Sequence, residues 1–235
     1  MPYLDWISDE ALISSVQHLI TKAKEVSSDS ADKFNKNVID PFSAVFQMAG
    51  FGMTHEVWYQ TEIARQAQKS LQNHVGIIHQ SVLGGVEGWE DLRTGSIIDL
   101  VNHDRKIIAE LKNKYNTLSG GQLAPLYRSL ENLVTPKSSI YFGYTAYYVE
   151  IIPKKPIRYD KLFTPSDKDK GAKVPSNEKI RQIDGASFYS LVTDSKTALA
   201  DLFAVIPEVV SKVGGGNVSD KDTEALQSYF KQAFG

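Results

Sequence analysis

Apolar residues fall at helical spacing through the first third of the chain and at strand spacing through its middle. Behind Ser8, the residues Leu12, Val16, Leu19 and Ile20 share one helix face, and Ser8 or Asp9 can cap the first turn, which predicts an amphipathic N-terminal helix. Short helices are expected over 31–48. Val57, Ala64, Ala67, Leu71 and Val75 then mark one face of a long helix over 56–78, and Gly84, Gly85 and Gly88 break the pattern. Residues 97–101 form a short apolar run broken only by Asp99, 102–105 read as a polar turn, and 106–112 resume the apolar run, which together predict a β-hairpin. A helix is expected over 123–134, with Pro125 tolerated in its first turn. Residues 140–152 are rich in aromatic and β-branched side chains (Tyr141, Phe142, Tyr144, Tyr147, Tyr148, Val149) and predict a long central strand. Core and sheet face explain those tyrosines more simply than base stacking does. The polar segment 161–176 is expected to be a mobile loop, and helices are expected over 186–192, 196–210 and 219–230. The glycines 214–216 are no phosphate loop, since neither Lys-Ser nor Lys-Thr follows them. This order of elements predicts an α/β fold with a mixed central sheet flanked by helices and extended by N- and C-terminal helices.

The second strand of the hairpin carries the chemistry. Alternation puts Ile107, Ala109 and Leu111 on one face and Ile108, Glu110 and Lys112 on the other. The uniformly apolar face belongs to the core, so Glu110 and Lys112 are expected to point outward, side by side, where Asp99 arrives from the partner strand. Mg²⁺ takes hard oxygen ligands, often one or two carboxylates with waters and phosphate completing the shell. Asp99 and Glu110 are the candidate ligands, with the backbone carbonyl of Leu111 as a further one. Lys112 can orient or help deprotonate a water and offset charge on a phosphorane-like transition state. Asp104, in the turn, competes for the role of first acid, although turn formation explains it more simply. His103 is the nearest candidate for a metal-free mechanism. His74 and His79 lie five residues apart, on different helical faces, which favours packing or DNA contact over a metal site.

Four blocks extend the reading beyond these residues: GWEDL at 88–92, ELKNKYNT at 110–117, EIIPKKPIRYDK at 150–161 and IRQIDGASFYSLVT at 180–193. In this order they resemble the Type II restriction endonucleases of the PD-(D/E)XK superfamily that recognise 5′-GGNCC, over about residues 62 to 202. The resemblance implies a prokaryotic, cytoplasmic homodimer that hydrolyses both strands of double-stranded DNA with Mg²⁺, for which Mn²⁺ substitutes. It also implies a companion DNA methyltransferase acting on the same site without a stable complex. It places the metal-binding acid on Asp99, the second acid on Glu110 and the lysine on Lys112, with Ile98 where the superfamily name promises proline. Glu62, on the long helix, occupies a position where related nucleases often supply an additional acid; an ion pair with Arg65 is the competing account. The alternatives are a repair or structure-selective nuclease of the same superfamily, or a noncatalytic DNA-binding protein.

Length and charge narrow the class. A chain of 235 residues with 42% hydrophobic content can bury a sizeable core as one endonuclease domain, with a helical N-terminal elaboration (1–50), a catalytic core (55–212) and a C-terminal helix (213–235). No apolar run is of membrane-spanning length, and the N-terminus lacks a signal pattern. With 0 Cys, disulfide frameworks and thiolate zinc sites are excluded. A net charge of −2 is not the footprint of a nonspecific nucleic-acid binder. The cations are clustered, however: Lys154, Lys155, Arg158 and Lys161 in one segment, then Lys168, Lys170 and Lys173. Lys154, Lys155 and Arg158 are candidate phosphate contacts. Asn113, Lys114 and Asn116, directly after Lys112, are candidates for phosphate or base-edge contact, asparagine suiting adenine and lysine suiting guanine.

Overall fold

The computed structural model describes residues 1–28, 34, 36–93 and 95–235. Part of the helix expectation over 31–48 (31–33 and 35) lies outside the described residues. Helix α1 (Asp9–Ser28) starts where the sequence signals it, with the Ser8 hydroxyl accepting the Ala11 N–H at 3.2 Å. Helix α2 (Pro41–Phe51) is capped by the Asp40 carboxylate, begins with a proline whose missing N–H costs nothing there, and ends at Gly52, left-handed at φ 64°. Helix α3 (His55–Gly84) is longer than its apolar spacing predicts, because its last turns bury Val82 and Leu83 in the main core. It stops at Gly84, where a Cβ would sit 2.6 Å from that of Asp91.

Ten further elements follow: β1 (Glu90–Asp91), β2 (Leu100–Asn102), β3 (Ile107–Lys114), α4 (Leu123–Val134), β4 (Thr145–Ile152), β5 (Asp160–Leu162), the hairpin strands β6 (Ser166–Asp167) and β7 (Ala172–Lys173), β8 (Ile180–Asp184) and α5 (Gly185–Thr193). Helices α6 (Ala198–Lys212) and α7 (Asp220–Phe234) complete the order. Six strands form one sheet in the order β1-β2-β3-β4-β8-β5. Its centre, β3-β4-β8, is parallel and its flanks are antiparallel. The mixed α/β sheet flanked by helices is therefore as the sequence predicts.

Three expectations need correction. The face carrying Ile108 and Glu110 is not outward. Ile108, Ala146, Tyr148 and Ile180 are buried on it beneath Tyr127, Leu130 and Val134 of α4, while Ala109, Leu111 and Val149 face α1, α3, α5 and α6 on the other side. A parallel central strand is covered on both faces, so alternation in β3 separates two cores rather than core from solvent. The strand expected over 140–152 begins only at Thr145, since Gly143, at φ 78°, closes a turn after α4 by donating to the Val134 carbonyl. The segment 161–176 is not an open loop. It contains β5, which pairs with β8, and the β6–β7 hairpin, held by the Arg128–Asp167 ion pair and by buried Phe163 and Val174. Strands of two or three residues are too short to show a period. Among the described residues no helix is long and apolar enough to cross a membrane.

At the junction of β8 and α5, the Asp184 carboxylate accepts the Ser187 N–H at 3.0 Å and the Tyr159 N–H at 2.6 Å. This cap draws α5 against β4, and a Cβ on Gly185 would lie 2.3 Å from the Ile151 carbonyl oxygen and 2.7 Å from its Cα. Backbone cannot retreat as a side-chain tip can. Gly185→Ala is expected to destabilise the chain by about 2–3 kcal/mol, lowering the thermal midpoint by roughly 4–12 °C. Gly216→Ala, where a Cβ meets nothing within 4 Å, is expected to melt like the parent. Equal midpoints for both variants in a thermal melt would refute the packing account.

Candidate active site

The site forms where β2 falls short of β3. The ladder pairs Leu100 with Ala109, and Asp99 sits one residue further on, beside Glu110. Its backbone is fixed from both sides: the N–H donates to the Ala109 carbonyl at 2.8 Å, and its carbonyl accepts the Leu92 N–H at 2.9 Å. The Asp99 carboxylate then accepts the Leu111 N–H at 2.7 Å, doing for β3 what another strand residue would otherwise do. N–H and C=O of one strand residue point to the same edge, and that edge recurs at every second residue. Ala109 and Leu111 therefore both turn their backbone groups toward Asp99, which puts the Leu111 carbonyl on the same open edge as the acid.

Glu110 projects from β3 onto the α4 face, with Lys112 two residues on. The Lys112 ammonium is ion-paired with the Glu110 carboxylate, and the Glu110 and Asp99 carboxyls are hydrogen-bonded to each other. Burial, then the neighbouring charge of Asp99, push Glu110 up to about 7 against the opposing pull of Lys112. Burial also raises Asp99, opposed by the Leu111 N–H and by Lys112. Two carboxyls in a half-desolvated pair cannot both ionise cheaply, so near neutrality they hold a proton between them. Among the described residues no three His, Cys, Asp or Glu side chains converge as a metal cluster. Two carboxylates and a main-chain carbonyl on one edge are nevertheless a hard-oxygen donor set that suits Mg²⁺ or Mn²⁺ with water and phosphate as the remaining ligands.

Two neighbours escaped the sequence reading. Gln80, near the end of α3, donates to Asp91 at 2.7 Å and reaches the Asp99 carbonyl at 3.5 Å, and the charge of Asp91 adds to the upward push on Asp99. Asp91 lies in the GWEDL block, but no spacing rule ties it to Asp99, and a neutral glutamine in a long helix gives no signal at all. Across the sheet, Tyr148 stands opposite Glu110 and Glu150 opposite Lys112. Burial, then the charge of Glu150, raise the Tyr148 hydroxyl, and Glu150 itself is buried and accepts the Tyr159 hydroxyl.

The other candidates are scattered. Glu62 is buried but held by Arg65 at 2.5 Å through two nitrogens and by Gln66 at 3.0 Å. It lies roughly 27 Å along the α3 axis from Gln80, so the structure does not bring it to the acids. Asp104 and His103 occupy the opposite, turn end of the hairpin; His103 meets the Tyr144 hydroxyl at 3.1 Å and stacks on Tyr141. His79 contacts the Tyr189 hydroxyl at 2.8 Å in the core, and burial lowers it to about 4. The buried Nδ1 of His74 has no hydrogen-bond partner. Asn113 packs beside Gly76 of α3, whereas Lys114 and Asn116 are exposed. Lys154 and Lys155 are exposed just past β4, at the same strand end as Lys112 and Lys114. Arg158 is exposed as well, and its guanidinium donates to Ser190 at 3.0 Å and to the Lys196 carbonyl at 2.9 Å, which ties it to α5 and to the turn before α6. Lys168 approaches the β3–α4 connection at Gly120.

The raised Glu110 has a signature in stability. Between about 4.5 and 7 the folded chain keeps a proton that the unfolded chain releases, so the stability this proton contributes is full below 4.5 and is lost as pH rises to about 7. His79 acts oppositely: its contribution is full above 6.5 and is lost as pH falls to about 4. The two partly cancel in the parent. In chelator, Glu110→Gln is expected to gain stability relative to the parent from pH 5 to 7.5, by up to about 3 kcal/mol. Denaturant titrations across that range measure the difference, and a flat difference would mean that Glu110 titrates as an ordinary carboxylate.

Comparison with known proteins identifies the family. The Eco47II restriction endonuclease family profile matches residues 4–214. The chain is 49% identical to the Type II restriction enzyme Eco47II of Escherichia coli over 100% of both chains. It is 31% identical to the Type II restriction enzyme Sau96I of Staphylococcus aureus over 87% of this chain and 78% of the relative. No solved structure matches it. A family profile that spans all of the sheet, together with a relative aligned from end to end, leads to one conclusion: the chain belongs to the Eco47II restriction endonuclease family and is a site-specific DNA endonuclease.

Proposed function

We propose that this chain, as a single endonuclease domain, works as a homodimer that cuts both strands of duplex DNA at a short palindrome of the 5′-GGNCC type, using Mg²⁺ held by Asp99, Glu110 and the Leu111 carbonyl. The observation that carries this reading is the convergence of Asp99, Glu110 and Lys112 on the edge of β3 that β2 leaves open. The ion, when bound, supplies Lewis acidity to the scissile phosphate and lowers the pKa of a bound water. The chain does the rest. Asp99 and Glu110 would hold the cation as carboxylates, their proton passing to solvent. Lys112, paired with Glu110, stands where it would orient the water or stabilise charge on the phosphate oxygens. Lys114, Lys154 and Lys155 stand at the same strand ends and suit phosphate contact; Asn116, exposed in the following turn, suits a base edge. A net charge of −2 limits nonspecific sticking while these local cations hold the backbone. Host DNA needs protection from such an activity, so the reading includes a companion methyltransferase for the same site and a cytoplasmic setting in a prokaryote.

Digestion of a sequenced plasmid followed by end mapping is the direct test, with cuts confined to symmetric GGNCC sites expected. Scattered or asymmetric ends would overturn the specificity. Asp99→Ala, Glu110→Ala and Lys112→Ala are each expected to lower cleavage by roughly 100-fold or more while keeping DNA binding, whereas Asp104→Ala and Glu62→Gln stay within about threefold of the parent. Excess chelator is expected to abolish cutting, Mn²⁺ to restore it, and Ca²⁺ to support binding with little turnover. Cutting that persists in chelator would remove the metal from the mechanism.

A further inference from the structure

Far from the acids, helix α2 presents an apolar face that nothing in the described chain covers. Phe42, Val45, Phe46 and Ala49 fall within about 100° of one another around the helix, and Phe42 is 76% exposed, Phe46 74% and Val45 58%. The inner side of α2 packs through Ala44 and Met48 onto Trp58 and Phe34, a satellite core separate from the two that sandwich the sheet. At the end of the helix Gly50 adds no side chain, and a Cβ there would meet nothing within 4 Å, so the surface beside this face is open among the described residues.

We infer that the outer face of α2 is the seam between two copies of this chain; this rests on the homodimer reading above and adds its location. Residues 41–54 contain no Lys, Arg, Asp or Glu, so the face offers phosphates no counter-charge and suits a neutral, self-complementary partner. Size agrees. Phe42, Phe46 and the exposed Val45 present on the order of 300–400 Å², at roughly 200 Å² per aromatic side chain, already within the range of the largest apolar patches that monomers leave open. On each copy this is the apolar core, close to half of the ~800 Å² per partner of a stable complex, with the ends of α2 and α3 as its rim. A two-fold axis running roughly along α3 joins two such arms at one end and leaves both catalytic edges at the other. The two antiparallel strands of one duplex can then each meet an acid pair.

Sedimentation and cleavage of the full chain test this. The parent is expected to be dimeric at micromolar concentration. Phe42→Asp combined with Phe46→Asp is expected to weaken dimerisation by roughly 100-fold or more while keeping the parent's helix content in circular dichroism, because both side chains are exposed. At low enzyme concentration that variant is expected to nick plasmid rather than linearise it, and higher concentration is expected to restore double-strand cutting. Ala49→Cys, in a chain with 0 Cys, is expected to cross-link two copies on mild oxidation. A double variant as dimeric as the parent, or a dimeric Ala49→Cys chain that does not cross-link, overturns the seam and leaves the homodimer standing. A parent that is monomeric at every concentration while cutting both strands overturns the homodimer and the seam together.

Discussion

The hydrogen bond from the Leu111 N–H to the Asp99 carboxylate organises the candidate catalytic edge. Strand β3 is buried on both faces and bonded to β4 along one side, so every main-chain group on its other side needs a partner. Up to Ala109 that partner is β2; at Leu111 it is a side chain. Because a carboxylate, unlike a strand, ends there, the Leu111 carbonyl is left beside it on an edge that β2 does not cover, with Glu110 buried and Lys112 half-buried on the same strand. The sheet thus produces an acidic notch by stopping a ladder one rung early, and the same termination holds Asp99 close enough to Glu110 to share a proton.

Much of this was legible in the sequence. A two-residue period in 107–112 is enough to place Glu110 and Lys112 on one face, and an acid in the preceding strand is enough to bring Asp99 near them, whatever the rest of the fold does. Alternation could not tell which of two faces was buried, because both are; that depends on β4 lying parallel beside β3, a contact between residues nearly forty positions apart. Gln80 and Asp91 were illegible for the same reason. They reach Asp99 only because α3 runs six residues past its apparent stripe and Gly84 lets β1 pack against its end. The basic cluster was legible as a cluster, but its spacing carries no sign that the exposed Arg158 guanidinium bonds Ser190 and the Lys196 carbonyl.

Charge is arranged to match. The chain is slightly acidic overall, so attraction to DNA has to be local, and the lysines at 112, 114, 154 and 155 gather at the carboxyl ends of two parallel strands. Open α/β sheets bind ligands at that end, where loops diverge and strand-end residues reach solvent together. Glu110 complements this. With Glu110 raised to about 7 by burial and by Asp99, the notch carries less negative charge than two free carboxylates would.

Helix α3 gives the molecule a mechanical property. Its 30 residues make a rod of about 45 Å, with α2 at one end and Gln80 against the Asp99 backbone near the other. A tilt of about 5° pivoting at one tip sweeps the opposite tip through roughly 4 Å, further than the 2.7 Å bond between Gln80 and Asp91 can stretch. The rod is therefore a long arm that spans from α2 to the Asp99 backbone, and the packing of its last turns into the main core, with Val82 and Leu83 against α1, is what resists such a tilt.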